Sequence, residues 1–180
     1  MKKRIYGNDM HHCDVCFGTR ARYEKGDLSG TWFAIDEYED GEELMEAARD
    51  HYLAEEEDPS LMIFDYEGPQ GLVSVDTNEI YPEAFDFIQL TPFRQKLICA
   101  YSRGIGIKGV EAFRYSMRWA LELFLGTAES DEEFAMDYIT DTTILDSRLA
   151  IDWNRTWHKS LSSRVDSFTM GATNYYFEKK

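Results

Sequence analysis

The chain has 180 residues, 43% of them hydrophobic, with 11 Tyr, 11 Phe and 4 Trp. That is enough apolar material for a packed core in one to three small domains and argues against wholesale disorder. Nineteen basic residues against 34 acidic ones leave a formal charge of −15, which disfavours direct binding to nucleic acid or to an anionic membrane and favours a basic partner.

In chain order, "DVCFGTRARY" predicts a first strand around 15–19, "GDLSG" a turn and "TWFAI" a second strand. "DGEELMEAARDHYLAEEE" has helical periodicity, with Leu44, Ala47, Ala48 and Tyr52 on one side and Glu42, Glu46 and Asp50 on the other. Asp40 or Gly41 would start this helix and Asp58-Pro59 would end it. "SLMIFDYE" predicts a third strand, closed by "GPQG", and short helices follow from about Pro82 and Pro92. "RGIGIKG" reads as a loop. "GVEAFRYSMRWALELFLG" is the clearest helix, striped by Val110, Phe113, Met117, Ala120 or Leu121, and Phe124. "SDEEFAMDYITD" predicts another, with Ser130 and Glu133 at capping-box spacing and Phe134 and Tyr138 on one face. A further helix is expected over 152–161, and "SFTMGATNYYFE" predicts a terminal strand pair.

The expected class is α+β: a small mixed α/β N-terminal domain over 1–69, a middle helical segment over 70–109, and a C-terminal α+β domain over 110–180. No window approaches a membrane span, and "MKKRIYGNDMHH" lacks the apolar stretch of a secretory signal, so the expected location is cytoplasmic.

Cys13, Cys16 and Cys99 are too few for a disulfide scaffold. With His11 and His12, the Cys13/Cys16 pair forms half of a zinc site, but Cys99, His51 and His158 are scattered singly. Burial is the better reading of these cysteines, and no metal or cofactor is expected. Carboxylate pairs occur in every acidic window, so pairing by itself does not mark a catalytic acid. No serine has a nucleophile-elbow context, the glycines of "RGIGIKG" lack phosphate-loop spacing, and no calcium-loop pattern occurs. The chain is not expected to be an enzyme.

The charge is segregated. Residues 27–90 carry a net −18, 91–121 a net +5 and 122–152 a net −8. Glu42, Glu46 and Asp50 are like charges at four-residue spacing, and each adjacent pair costs about 0.2–0.5 kcal/mol of helix stability. Solubility alone would be met by mixed charges. A row of carboxylates about 5.4 Å apart, one helical turn, is near the spacing of duplex phosphates. The candidate binding surface is therefore Glu42, Glu43, Glu46, Asp50, Glu55, Glu56, Glu57, Asp58, Asp65 and Glu67, with Glu129, Asp131, Glu132, Glu133, Asp137 and Asp141. Tyr38, Tyr66 and Tyr81 are candidate anchors among the acids.

An ordered set of segments carries a resemblance. "RYEKGDLSGTWF" (22–33) and "FDYEG" (64–68) come first, and "ALELFLGTAESDEEFAMDYITDTTILD" (120–146), "AIDWNRTWHKSL" (150–161) and "TNYYFE" (173–178) follow. Together they resemble the ArdA antirestriction proteins over most of the chain, with 70–119 matching loosely. The resemblance implies an elongated, usually dimeric protein of small domains, without a catalytic site. Its acidic surface would imitate bent B-form DNA and occupy the DNA-binding groove of type I restriction–modification enzymes. Ile139, Leu145 and Trp153 are expected to pack or join a subunit contact rather than to form part of the charged display. Arg155, His158, Lys159 and Arg164 depart from the family's more acidic pattern, and the basic run from Arg94 to Arg118 interrupts the acidic track. Two other readings share these residues: a regulator of another basic DNA-binding partner, and a small metal-dependent enzyme.

Overall fold

A computed structural model of the chain describes residues 12–146 and 149–180. Among them are seven helices and eight strands in three small sheets, an α+β arrangement. The chain divides into two compact units. The first comprises the described residues up to Lys96 together with Lys108–Phe113, and the second comprises Leu97–Ile107 and Arg114–Lys180. The divisions expected at 69/70 and 109/110 both fall inside the first unit.

In the first unit, β1 (Asp14–Thr19) is the centre of an antiparallel sheet of order β2-β1-β3, between β2 (Thr31–Ala34) and β3 (Leu61–Glu67). Val15 and Phe17 face α2 (Gly41–Leu53), which buries Leu44, Ala48 and Tyr52 against them. The apolar positions at intervals of four produce this stripe, and Glu42, Glu46 and Asp50 are left on the outer side as expected.

Tyr52 ties helix to sheet. Its hydroxyl donates to the Phe17 carbonyl at 2.6 Å and accepts from the Thr31 N–H at 3.1 Å. Tyr52→Phe is expected to cost about 1–3 kcal/mol, because the Phe17 carbonyl loses a buried donor and the Thr31 N–H a part-buried acceptor. Urea denaturation would show this as a lower midpoint with an unchanged slope.

Two features of this unit differ from the sequence expectation. Thr19 caps a one-turn helix, α1 (Arg20–Glu24), that the strand-like pattern hid. Moreover, α2 ends at Leu53, not at Asp58-Pro59. The N–H groups of Glu55 and Glu56 close a turn on the Tyr52 carbonyl, while the side chain of Glu55 pairs with Arg22 and that of Glu56 accepts from Thr19 Oγ1 at 2.5 Å. Long-range partners thus draw these acids out of the helical path. The two-residue strands β4 (Val73–Ser74) and β5 (Glu79–Ile80) form a ribbon that periodicity cannot detect, and α3 (Glu83–Ile88) follows Pro82 as expected.

The helix expected from Pro92 is α4 (Pro92–Gly104), and α5 (Val110–Leu123) is the striped helix. Phe124 is not its last apolar position but the first residue of β6 (Phe124–Ala128), because pairing with β8 (Thr173–Glu178) takes the segment into a sheet. On α5 the buried face is Ala112, Phe113, Ser116, Ala120 and Leu123, so Leu121 is not part of it.

The second unit is built on the antiparallel sheet β6-β8-β7, where β7 (Val165–Met170) and β8 form the expected hairpin. Tyr175, Tyr176 and Phe177 are buried in succession, which an alternating strand permits only when both faces are covered. Tyr176 meets Phe134, Trp157 and Leu161 from α6 (Asp131–Thr142) and the turn Trp157–Leu161 that continues α7 (Trp153–Thr156). Phe177 meets Tyr101 with ring centroids 4.7 Å apart. Ile139 and Trp153 are partly buried against the Phe134 cluster, and Leu145 is half-buried.

Candidate functional site

The acids of the first unit are held out by α2 and by the sheet. Asp40 caps α2, its carboxylate accepting from the N–H groups of Glu42 and Glu43 at 2.9 and 3.0 Å. Asp65 and Glu67 lie on the sheet face opposite α2, across β1 from Trp32 and Ala34 respectively, and both are exposed. In the second unit, Ser130 Oγ caps α6 by accepting from the Glu133 N–H at 3.1 Å. Glu132, Glu133, Asp137 and Asp141 lie exposed along that helix.

The two acidic helices begin in the same way. Glu43 reaches back to accept from the Glu39 N–H at 2.6 Å, and Glu133 does the same to the Glu129 N–H at 2.7 Å. The strings "EDGEE" (39–43) and "ESDEE" (129–133) therefore encode one device, and their repetition is the signal that could have exposed it. A row at four-residue spacing runs along each helix: Glu42, Glu46 and Asp50 on α2, and Asp137 and Asp141 on α6 continuing from Glu133, whose own carboxylate is engaged in the cap. Acids near each N-terminus also favour the helix dipole.

Of the sixteen candidate acids, all but Glu56 and Asp131 are exposed. Several are nevertheless occupied. Glu55 is paired with Arg22, Glu132 accepts from Asn154 Nδ2 at 2.7 Å, and Asp131 accepts from the Tyr176 hydroxyl at 2.9 Å. Burial, followed by this bond to Asp131, pushes the Tyr176 phenol above its ordinary range. Glu57 and Asp58 stand in the loop before Pro59, not on a helix face.

No protein-family model, curated protein or solved structure matches the chain.

The candidate anchors Tyr38, Tyr66 and Tyr81 are all half-buried. Tyr38 leans on Phe33 with centroids 6.4 Å apart, and the Tyr66 hydroxyl donates to the Pro69 carbonyl at 3.2 Å. Tyr81 lines a cleft of about 310 Å³ with Gly71, Val73, Ser74, Asp76 and Val110. In its lining Gly71, at φ +100, passes the Gly109 carbonyl so closely that an added Cβ would stand 2.7 Å from it. Asp76 lines the cleft, but none of the sixteen candidate acids does. The most exposed aromatics among the described residues are Tyr23, at 54%, Phe93, at 51%, and Trp32, at 44%.

Among the described residues, no three His, Cys, Asp or Glu side chains are grouped to hold a metal ion. His11 lies outside the described residues. Cys13 and Cys16 are both buried; Cys13 Sγ lies 3.6 Å from the Tyr66 hydroxyl oxygen, and a Cβ on Gly30 would stand 2.5 Å from Cys16 Sγ. Burial pushes the Cys13 thiol up to about 11, so it stays neutral near pH 7 and is a poor thiolate ligand. Among the described residues no helix is long and apolar enough to cross a membrane.

Proposed function

We propose that the chain is an antirestriction protein that imitates DNA and occupies the DNA-binding groove of a type I restriction–modification enzyme. The observation that carries this reading is the pair of rows, Glu42/Glu46/Asp50 and Glu133/Asp137/Asp141, each on a helix with the same cap. Each row bears like charges about one helical turn apart, an arrangement that raises helix energy and is recovered when cations from a partner meet it. A DNA-binding groove supplies such cations at phosphate spacing, and releases its own counter-anions on meeting fixed charge. The ordered resemblance to the ArdA proteins names the restriction enzyme as the particular groove.

The test is competition. The chain should displace duplex DNA from a purified type I methyltransferase, with an apparent affinity that falls steeply with salt. Binding that is indifferent to salt would sink the mimic mechanism. Displacement of DNA from other basic DNA-binding proteins, but not from the methyltransferase, would favour the broader reading of an acidic regulator.

A further inference from the structure

Strand register gives the exposed Trp32 fixed neighbours. On the sheet face opposite α2, the row across the three strands reads Trp32, Cys16, Asp65. Paired Cβ atoms on adjacent strands stand about 5 Å apart, so Trp32 and Asp65 flank Cys16 at roughly 10 Å from each other. Cys16 is 5% exposed, and its short side chain makes a floor between the half-open indole and the exposed carboxylate. Gly30 closes one end, its backbone lying against Cys16 Sγ. Asp65 accepts from the Tyr66 N–H at 2.8 Å, which steadies the carboxylate and leaves lone pairs for a cation. Burial, followed by the charge of Asp65, pushes the Cys16 thiol up, so the floor of the trough is neutral near pH 7. The chain sets its own arginines over rings elsewhere: Arg118 lies 4.7 Å from the centroid of Trp119, Arg22 5.3 Å from that of Tyr52 and Arg164 5.9 Å from that of Tyr138. Among the described residues no such cation lies over Trp32, and Arg49 is the only Lys or Arg within 27–90.

We propose that the trough between Trp32 and Asp65 takes an arginine side chain of a basic protein partner, with the guanidinium stacked on the indole and paired with the carboxylate above Cys16. The net −18 of residues 27–90 draws any cation toward this face, and the ring is what separates arginine from lysine. A guanidinium is flat and weakly hydrated, so it can lie on the indole and still direct N–H groups at Asp65. A lysine ammonium can meet the carboxylate, but it holds its water more strongly and gains less from the ring face. The inference deepens the DNA-mimic reading and rests on it for the class of partner, since a groove that holds phosphates is supplied with arginines. The trough and the α2 row lie on opposite sides of the sheet, so a partner that meets both encloses this unit as a groove encloses a duplex.

Two peptides of equal charge test it on the full chain: an acetylated, amidated pentalysine, and the same peptide with arginine at its centre. The arginine peptide should bind about threefold more tightly than pentalysine. In nitrogen–proton NMR spectra it should also move the Trp32 indole N–H signal, identified as the one missing from Trp32→Leu. Trp32→Leu should bind the two peptides equally, and Trp32→Phe should recover part of the preference. Asp65→Asn, a change at an exposed side chain, should reduce the preference as well, and far-UV circular dichroism checks that each variant is folded. Equal binding of the two peptides by the parent overturns the proposal. So does a preference that survives Trp32→Leu, or a Trp32 signal that stays still while the arginine peptide binds. If these arms fail while the chain still displaces DNA from the methyltransferase, the trough is lost and the mimic reading stands. An arginine preference without displacement of DNA keeps the trough and removes the restriction enzyme as its partner.

Discussion

Phe134→Ala is expected to destabilise the second unit by about 3–5 kcal/mol, the range for removing a large buried aromatic. The Phe134 ring is 4% exposed and stacks on Tyr176 with centroids 3.9 Å apart and planes 7° from parallel. Trp157 meets it edge-on at 6.0 Å, and Tyr138 stacks at 5.5 Å. Truncation leaves a cavity among rings that also hold one another, so collapse would cost Trp157 and Tyr176 their own contacts. Calorimetry should show a lower Tm, by roughly 4–8 °C per kcal/mol for a unit of this size. Near-UV circular dichroism should lose aromatic signal at the same temperature. A shift of only a degree or two would mean that α6 is not held by this cluster, and the display of Asp137 and Asp141 would need another support.

The second large effect is on binding and runs opposite to stability. Glu46→Gln and Asp50→Asn together should stabilise α2 by about 0.4–1 kcal/mol, because both like-charge pairs of the row are relieved while Glu42 keeps its favourable place near the positive helix N-terminus. On the DNA-mimic proposal the same variant should bind a type I methyltransferase about tenfold more weakly or worse, with a shallower dependence on salt. Both side chains are exposed and neither is needed for the Leu44, Ala48 and Tyr52 contacts, so a loss of binding cannot be put down to misfolding. A more stable protein with unchanged affinity would remove α2 from the interface. A protein that loses stability instead would show that the row is structural.

Much of the fold was legible because local rules and tertiary packing agreed. Asp40 and Ser130 are strong caps, and the Leu44/Ala48/Tyr52 stripe is buried as its spacing predicts. The hairpin of β7 and β8 turns at Gly171, at φ +65, where glycine carries no Cβ penalty. Local rules failed where a distant partner outweighed them. Phe124 fits a helical stripe, but pairing opposite Phe177 of β8 takes it into the sheet, with a register shift before Gly126. Glu55 and Glu56 fit a helix end, but Arg22 and Thr19 take their side chains. For Tyr66 and Tyr38 the sequence shows an aromatic among acids but not that one hydroxyl bonds the Pro69 carbonyl and the other ring leans on Phe33.

The sequence alone determined which residues are charged, that the acids fall in two blocks separated by a basic one, and which short strings start the two acidic helices. Hydrophobic period and side-chain capping are local, so they can be read from neighbours in the chain. The tertiary structure alone decided which carboxylates remain exposed along a row and which are consumed by Arg22, Thr19, Asn154 and Tyr176. It also placed Leu121 and Leu53 on outer faces, where the composition of each helix would as readily have buried them. These outcomes depend on groups up to 45 residues away, between Asp131 and Tyr176. Such pairings follow from how the sheets assemble, and no window along the chain contains both members.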